Sequence, residues 1–489
     1  MTEPVALTFH ARALDEIAAH EGVVAVLVDP QEGLEPGARR VNRLCRGALA
    51  RLIEGEEFAK LEPGDSLRLA YPAGMEARAV LVVRLSRRAD AAQARRAGAA
   101  VGKALGKAGA LVLAGAHRHA GEIALGILLR AYDFNAHKTD SEKAGKGAVR
   151  VMVSRPDAVA AEFEPRRAVA EGVFFTRDLV NEPANVLTTQ SFAERLVELR
   201  DLGLEVEVLE EADLERLGMR ALLAVGQGSE SPTKVVVMHW KGAEAQAPLA
   251  LIGKGVVFDT GGVSIKPAAS MEDMTMDMGG AGVVAGVMRT LARRGAKANV
   301  VGVVGLVENM PDGRATRPGD VLRSMKGDTI EVINTDAEGR LLLADVMWYA
   351  QERFKPGGMI DLATLTGAMV IALGHERAGV FANDDALCEN FLKGAEAEGE
   401  GAWRLPLGKA YDKLLKSRIA DMKNTGGRAA GSITAAQFLQ RFVKDETPWL
   451  HIDIAGVALR KEDSDFAPKG GSGWGVLALD RLVKDRYEG

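Results

Sequence analysis

The sequence predicts an α/β protein in two parts: a small N-terminal α/β domain over residues 1–155 and a larger C-terminal α/β/α domain with a mixed central sheet over 186–489, joined by a linker helix at 156–185. Three observations predict it. A chain of 489 residues exceeds what one ordinary hydrophobic core organises, so two domains are the default. Apolar β-branched runs alternate with helix-periodic segments from one end to the other. Hydrophobic residues make up 47% of the chain and charged residues 26%, a balance that belongs to globular proteins and not to disordered ones.

In the first part, Val23 to Val28, Ser66 to Ala70, Arg78 to Arg84, Ala110 to Ala114 and Ala148 to Val153 read as strands. Ala89 to Lys107 and Ala120 to Tyr132 read as helices. The glycine-lysine pairs at Gly102-Lys103 and Gly106-Lys107 lack the order of a phosphate loop. His117 and His119 have no third ligand nearby in sequence and read as a surface turn. A long helix, Asp157 to Asn181, follows and stops at Asn181-Glu182-Pro183-Ala184-Asn185.

The second part continues with helix Phe192 to Leu202, strand Glu205 to Leu209, helix Ala212 to Leu217 and strand Thr233 to His239. Strand Leu249 to Gly253, helix Ala281 to Arg293, strand Asn299 to Val307 and the Gly/Pro loop Pro311 to Asp320 come next. Strand Thr329 to Ile333, helix Leu341 to Phe354, strand Met359 to Thr364, helix Thr434 to Phe442, strand Trp449 to Ile454 and helix Trp474 to Val483 complete it.

Three stretches of this part concentrate charge at strand ends. Lys254, Asp259 and Lys266 lie among glycines directly after the apolar strand at Leu249 to Gly253. Asp277 stands among methionines at the start of a helix, where a carboxylate also suits the helix dipole. Asp336, Glu338 and Arg340 fall within Asn334-Thr335-Asp336-Ala337-Glu338-Gly339-Arg340-Leu341, at a strand-to-helix junction of the kind that carries ligand sites in α/β proteins. An N-cap followed by an acidic first turn explains that last stretch equally well on its own. Gly280-Ala281-Gly282 does not complete a dinucleotide fingerprint.

If Asp259, Asp277, Asp336 and Glu338 converge, four negative charges share one crevice, and carboxylates so placed repel strongly. A salt-bridge cluster with Lys254, Lys266 and Arg340 would relieve them. So would two divalent cations, and oxygen-rich ligation without histidine suits Mn²⁺ or Zn²⁺. The spacing leaves both open. None of the eight histidines lies in these stretches, which excludes histidine-based metallopeptidase motifs.

Gly253 to Lys266, Asp277-Met278-Gly279-Gly280 and Asn334 to Leu341 resemble the signature of the leucyl (cytosol) aminopeptidases, a family of dinuclear metallopeptidases. Supporting stretches are Arg177 to Asn185, Glu308-Asn309-Met310-Pro311, Arg317-Pro318-Gly319-Asp320, Ala363 to Gly367 and His451 to Gly456. The resemblance runs from about Phe174 to the C-terminus; Ser472 departs from the usual threonine there. It implies a metal-dependent aminopeptidase that hydrolyses the N-terminal residue, Leu and other apolar residues preferred, from peptides with a free N-terminus. Residues placed like Lys254, Asp259, Asp277 and Glu338 hold one metal in that family, and Asp259, Asp336 and Glu338 the other. Lys266 would stabilise the tetrahedral oxyanion, and Arg340 would hold a bicarbonate that carries protons. Met274, Thr364, Leu365 and Gly367 would line the pocket for the first side chain, and the assembly would be a homohexamer.

The bulk properties agree with such an enzyme. A net charge of −5 and a pI of about 6.0 argue against a mainly electrostatic nucleic-acid partner, the second role some bacterial relatives carry. The N-terminus lacks a basic region followed by an apolar core, and two distant cysteines, Cys45 and Cys388, offer no disulfide framework. No run of 18 or more apolar residues occurs, so no membrane span is expected and a cytoplasmic location is. A dinuclear hydrolase of another bond is the other alternative, disfavoured by the missing phosphate-cradling loop.

Overall fold

Runs of Val, Leu and Ile without polar alternation mark strands covered on both faces, and the computed structural model buries them inside two sheets. It describes residues 1–139, 145–243 and 246–489. These fall into two compact units: Met1–Phe174 with Glu462–Pro468, and Phe175–Lys461 with Lys469–Gly489. The division lies within one helix of 26 residues, Pro156–Asn181, where the sequence predicts a single long helix.

The first unit holds β1 (Leu7–His10), β2 (Val23–Val28), β3 (Ser66–Ala70), β4 (Ala79–Arg84), β5 (Ala110–Gly115) and β6 (Val149–Val153). They form one sheet in the order β1-β6-β5-β2-β4-β3, parallel except for the β3–β4 pair. Helix Ala91–Ala104 starts at Asp90, whose carboxylate accepts from the Gln93 amide while the Gln93 side chain answers the Asp90 amide. The strand β1 and the short helices Pro36–Leu44 and Ala48–Ile53 are additional to the predicted elements. Each is too brief, or too rich in arginine and glycine, to carry a legible period.

The second unit is built on β7 (Glu205–Leu209), β8 (Lys234–Lys241), β9 (Leu249–Asp259), β10 (Asn299–Asn309), β11 (Val321–Arg323), β12 (Thr329–Glu331), β13 (Gly358–Ala363), β14 (Ala378–Ala382), β15 (Ala402–Arg404), β16 (Met422–Lys423) and β17 (Trp449–Asp453). Eight of them form the main sheet, β15-β14-β17-β13-β9-β10-β8-β7. The centre, β17-β13-β9-β10, is parallel, whereas β8 runs antiparallel to both neighbours and β14 antiparallel to β17, so the sheet is mixed as predicted. Helices cover both faces: a Cβ on Gly253 would strike Ala281 of helix Gly279–Arg293, and one on Gly305 would strike Leu342 of helix Gly339–Phe354. Ile252, Val256, Val303, Val307, Leu342 and Val346 are all fully buried in the core beneath the latter helix.

Two predicted strand ends differ. β9 runs on through Lys254 to Asp259, because Gly253-Lys254-Gly255 breaks the apolar run without breaking the hydrogen-bond ladder. The strand before Asp336 is only β12, and it belongs to a separate three-stranded sheet, β11-β12-β16, not to the main one. Among the described residues, no helix is long and apolar enough to cross a membrane.

Candidate metal centre

Side chains alternate along a strand, so β9 points Ala250, Ile252, Lys254 and Val256 to one face. Unbroken alternation would send Asp259 to the other. It does not hold: Val256 lies opposite Val307 of β10, but Asp259 and not Phe258 lies opposite Asn309. One extra residue in β9 makes a β-bulge, and the bulge turns Asp259 to the face of Lys254. Beyond Asp259 the chain reverses through Gly261 and Gly262, with φ of +87° and +64°, backbone that other residues adopt only under strain. The reversal brings Lys266 back, its amide donating to the Thr260 carbonyl at 2.9 Å.

Asp277 and Met274 sit on the 3₁₀ helix Met271–Met278 that leads into helix Gly279–Arg293. Asp336 follows β12 in a turn where its amide donates to Asn334 Oδ1 at 2.9 Å. Glu338 occupies the cap position of helix Gly339–Phe354 but makes no capping hydrogen bond. Its carboxylate goes to Lys254 instead, which decides against a plain helix start. Gly339 is required beside it: a Cβ there would come within 2.7 Å of Lys254 Cδ and Cε.

These elements bring all seven charged residues to one crevice at the carboxyl end of β9. Lys254 Nζ donates to Asp277 Oδ1 at 2.8 Å, to the Thr364 carbonyl at 2.9 Å, and pairs with Glu338 Oε1 at 2.7 Å. Lys266 Nζ lies 2.7 Å from Asp259 Oδ2 and contacts Asp336 Oδ1. Single oxygens of Asp259, Asp336 and Glu338 approach one another within 4.8 Å. Arg340 Nη1 donates to the Asn424 carbonyl at 3.0 Å, while its Nε is buried with no hydrogen-bond partner among the described residues.

Burial dominates the electrostatics. It pushes Asp259 up to about 6, helped by Glu338 and opposed by Lys266 and Lys254. Asp277 rises well above the carboxylate range for the same first reason, with Lys254 opposing. Asp336 is also raised by burial, against the pull of Lys266. Glu338 alone goes down: burial would raise it, but Lys254 and Lys266 outweigh that. Burial would strip the protons from both lysines, yet the surrounding carboxylates raise both. Burial lowers Arg340 to about 10, which leaves it a cation near neutral pH.

The residues fit divalent cations on two counts. Three cationic side chains do not balance four carboxylates, and Asp277 Oδ2 is buried with no hydrogen-bond partner among the described residues. The donor set is oxygen-rich with one amine, chemistry suited to Mn²⁺ or Zn²⁺.

The chain's likeness to known proteins bears on the same site. Residues 174–479 match the model of the cytosol aminopeptidase family catalytic domain, and residues 23–141 match that family's N-terminal domain. This chain belongs to the cytosol aminopeptidase family. It is 67% identical to a probable cytosol aminopeptidase of Dinoroseobacter shibae and 65% identical to one of Cereibacter sphaeroides, each over 100% of both chains. Among solved structures, the bottromycin maturation enzyme BotP in complex with Mn superposes with a TM-score of 0.81 at 33% identity, over 95% of this chain and 99% of that one. The aminopeptidase is thus a hydrolase, with its peptidase domain in the second unit.

The remaining predicted residues of the aminopeptidase surround the cluster unevenly. Thr364 Oγ1 donates to Asp277 Oδ1 at 2.8 Å, which ties the end of β13 to the crevice. Leu365 is half-buried, Gly367 is exposed with open space where a Cβ would stand, and Met274 is half-buried. His117 and His119 lie in the first unit; His117 spends one ring nitrogen on the Ser86 carbonyl and meets the His119 amide with the other.

Four supporting residues carry no signal of their own in the sequence. Asn309 Nδ2 donates to Asp259 Oδ1 at 2.8 Å and to the Thr335 carbonyl at 3.1 Å, holding the bulged end of β9 against the Asp336 loop. The Ser264 amide donates to the Thr335 hydroxyl at 2.8 Å and the Thr335 amide donates to the Ser264 hydroxyl at 3.1 Å. Asn424, wholly buried after β16, accepts from the Ile333 amide at 2.8 Å and donates to the Asn334 carbonyl at 2.7 Å. Asn309, Thr335 and Ser264 fall inside stretches that carry the family resemblance, Glu308 to Pro311, Asn334 to Leu341 and Gly253 to Lys266, whereas Asn424 falls in none.

Proposed function

We propose that the chain is a two-metal aminopeptidase that removes the N-terminal residue, Leu and other apolar residues preferred, from peptides with a free amino end. The convergence of Lys254, Asp259, Asp277, Asp336 and Glu338 on one crevice, in a chain of this family, carries the reading. Lys254, Asp259, Asp277 and Glu338 would hold one cation, and Asp259, Asp336 and Glu338 the other. When bound, Mn²⁺ or Zn²⁺ supplies Lewis acidity and a water acidic enough to ionise near neutral pH.

The chain's own side chains do the rest. A free amino end would seat against the carboxylate and cation cluster, so a blocked N-terminus loses that placement. Lys266, the more exposed of the two lysines and held protonated by Asp259 and Asp336, donates to the oxygen that gains charge at the scissile carbonyl. Arg340 offers its partnerless Nε to an anion, and bicarbonate there would supply a proton acceptor. Met274, Thr364, Leu365 and Gly367 would line the pocket for the first side chain, with the open space at Gly367 admitting apolar bulk. Residues 186–489 would form the catalytic domain, working as a homohexamer in the cytoplasm.

The test combines metal analysis with hydrolysis of Leu-amide and N-acetyl-Leu-amide. The proposal expects free leucine from the first substrate alone, loss of activity on chelation, and its return with Mn²⁺ or Zn²⁺. A metal-replete protein that leaves Leu-amide intact, or cleaves both, overturns it.

A further inference from the structure

Directly beyond the crevice, β17 presents Trp449, His451 and Asp453 to one face, beside Asp361 of β13 in register with His451. All four are buried. His451 Nδ1 meets Asp361 Oδ1 at 2.6 Å, Trp449 Nε1 donates to Asp361 Oδ2 at 2.7 Å, and the imidazole lies nearly parallel to the rings of Phe381 and Trp449, with centroids 5.8 and 6.3 Å away. Among the described residues, Asp453 is the only member with a hydrogen bond to the segment after β13. Its Oδ1 accepts from the Leu365 and Ala455 amides, both at 3.1 Å, and its Oδ2 accepts from the Thr366 hydroxyl at 2.7 Å. Thr366 in turn caps helix Gly367–Leu373 by accepting from the Met369 amide, and bonds to the Ser432 hydroxyl at 2.8 Å.

The segment Thr364–Gly367 is therefore clamped from two sides. On the metal side, Lys254 and Asp277 hold Thr364. On the other, one buried carboxylate holds Leu365 and Thr366. We infer that Asp453 is a positioning residue for substrate, which fixes Leu365 to Gly367 where the first side chain of the peptide is received. The inference rests on the reading above that this segment lines the pocket.

The chemistry of the clamp is specific. An ionised carboxylate accepts on both oxygens, so it takes the Leu365 amide and the Thr366 hydroxyl together and leaves Thr366 Oγ free to accept from Met369 and Ser432. Burial raises Asp453, and the neighbouring His451 opposes that rise. The charged groups around it are His451 on its own strand, Asp361 on β13 and Arg340 on the adjoining helix. No metal ligand touches Asp453, so the clamp separates in principle from metal loading.

The test uses the full chain with Mn²⁺. In Asp453→Asn the amide keeps one acceptor but turns an NH₂ toward Thr366, and KM for Leu-amide should rise about tenfold, the worth of a hydrogen bond to a charged group. kcat should change by less than about threefold, and Mn²⁺ content should stay at the parent's value. Thr366→Val should give the same KM effect, the double variant should show no further loss, and Thr366→Ser should restore the parent's KM. A KM unchanged in Asp453→Asn, effects of the two variants that multiply, or loss of metal with Asp453 overturns the inference. Failure of the parent itself to act on Leu-amide would instead overturn the reading of the site.

Discussion

Both units end parallel strands at a crevice, and the two crevices handle charge in opposite ways. At the carboxyl ends of β2, β4 and β5, a cavity of about 60 Å³ is lined by Glu32, Glu35, Arg87 and His117 among apolar residues. There each charge is answered locally: Glu32 accepts from the Ser86 hydroxyl at 2.8 Å and the Arg87 amide at 3.1 Å, and Arg87 Nε lies 3.2 Å from Glu35. Slight burial would raise Glu32, but those hydrogen bonds hold it below the usual carboxylate range. At the end of β9 burial wins for three carboxylates of four, and each lysine serves two of them. Similar architecture with similar residues thus gives a quiet crevice in one place and an electrostatically unfinished one in the other.

The sharpest way to break the comparison is to remove charge from the unfinished crevice. Glu338→Gln or Asp336→Asn should lower hydrolysis of Leu-amide to background and take bound metal with it, as read by elemental analysis of the purified variants. Metal retained at full stoichiometry would sink the ligand assignment. Next in size, Lys266→Ala should cut turnover by about 10²–10³-fold with metal content unchanged, the scale for losing one oxyanion donor. An emptied site would contradict its assigned role.

A third prediction concerns a buried carboxylate outside the proposed ligand set. Asp345, on helix Gly339–Phe354, accepts from the Leu222 and Met325 amides at 3.0 and 2.7 Å, and burial pushes it up to about 7. Its folded value is raised, so the folded protein keeps the proton after the unfolded chain has lost it. Stability from this group is full below about pH 4 and falls as pH climbs to about 7, by about 4 kcal/mol over the three-unit span. Denaturant melts at several pH values should show that slope in the parent and lose it in Asp345→Asn. The asparagine offers one acceptor to two amides, and so should itself destabilise by about 1–3 kcal/mol. The smallest effect belongs to the quiet crevice: Glu32→Gln or His117→Ala should leave Leu-amide hydrolysis within about twofold and metal content unaltered, with surface-scale stability changes of about 0.5–1 kcal/mol. A large loss of activity there would erase the contrast.

Much of the fold was legible because its strands are apolar runs bounded by glycine or proline, as β2 and β10 are. The misses have physical causes. β14 and the helix Asp385–Glu398 are additional to the predicted elements; β14 is a strand of mostly small residues, Ala-Gly-Val-Phe-Ala, without alternation. The predicted end of β9 falls at Gly253, where pairing with β13 stops, and the ladder with β10 carries the strand on past Gly255 to Asp259 against glycine propensity. Within the site, charged residues in short motifs stood out from their neighbours. Asn424 did not, and Asp453 stood out only as part of His451 to Gly456, since their partners lie about ninety residues away and only the folded sheet order brings them together.

The extra residue in β9 also sets how a slipped register would show itself. Were the intact chain paired regularly, Phe258 would lie opposite Asn309 and Asp259 would face the far side of the sheet. A slip of one residue at that point would take one carboxylate out of the crevice and leave the strand order untouched, so an assay that reads only secondary-structure content would pass a protein that has lost its chemistry.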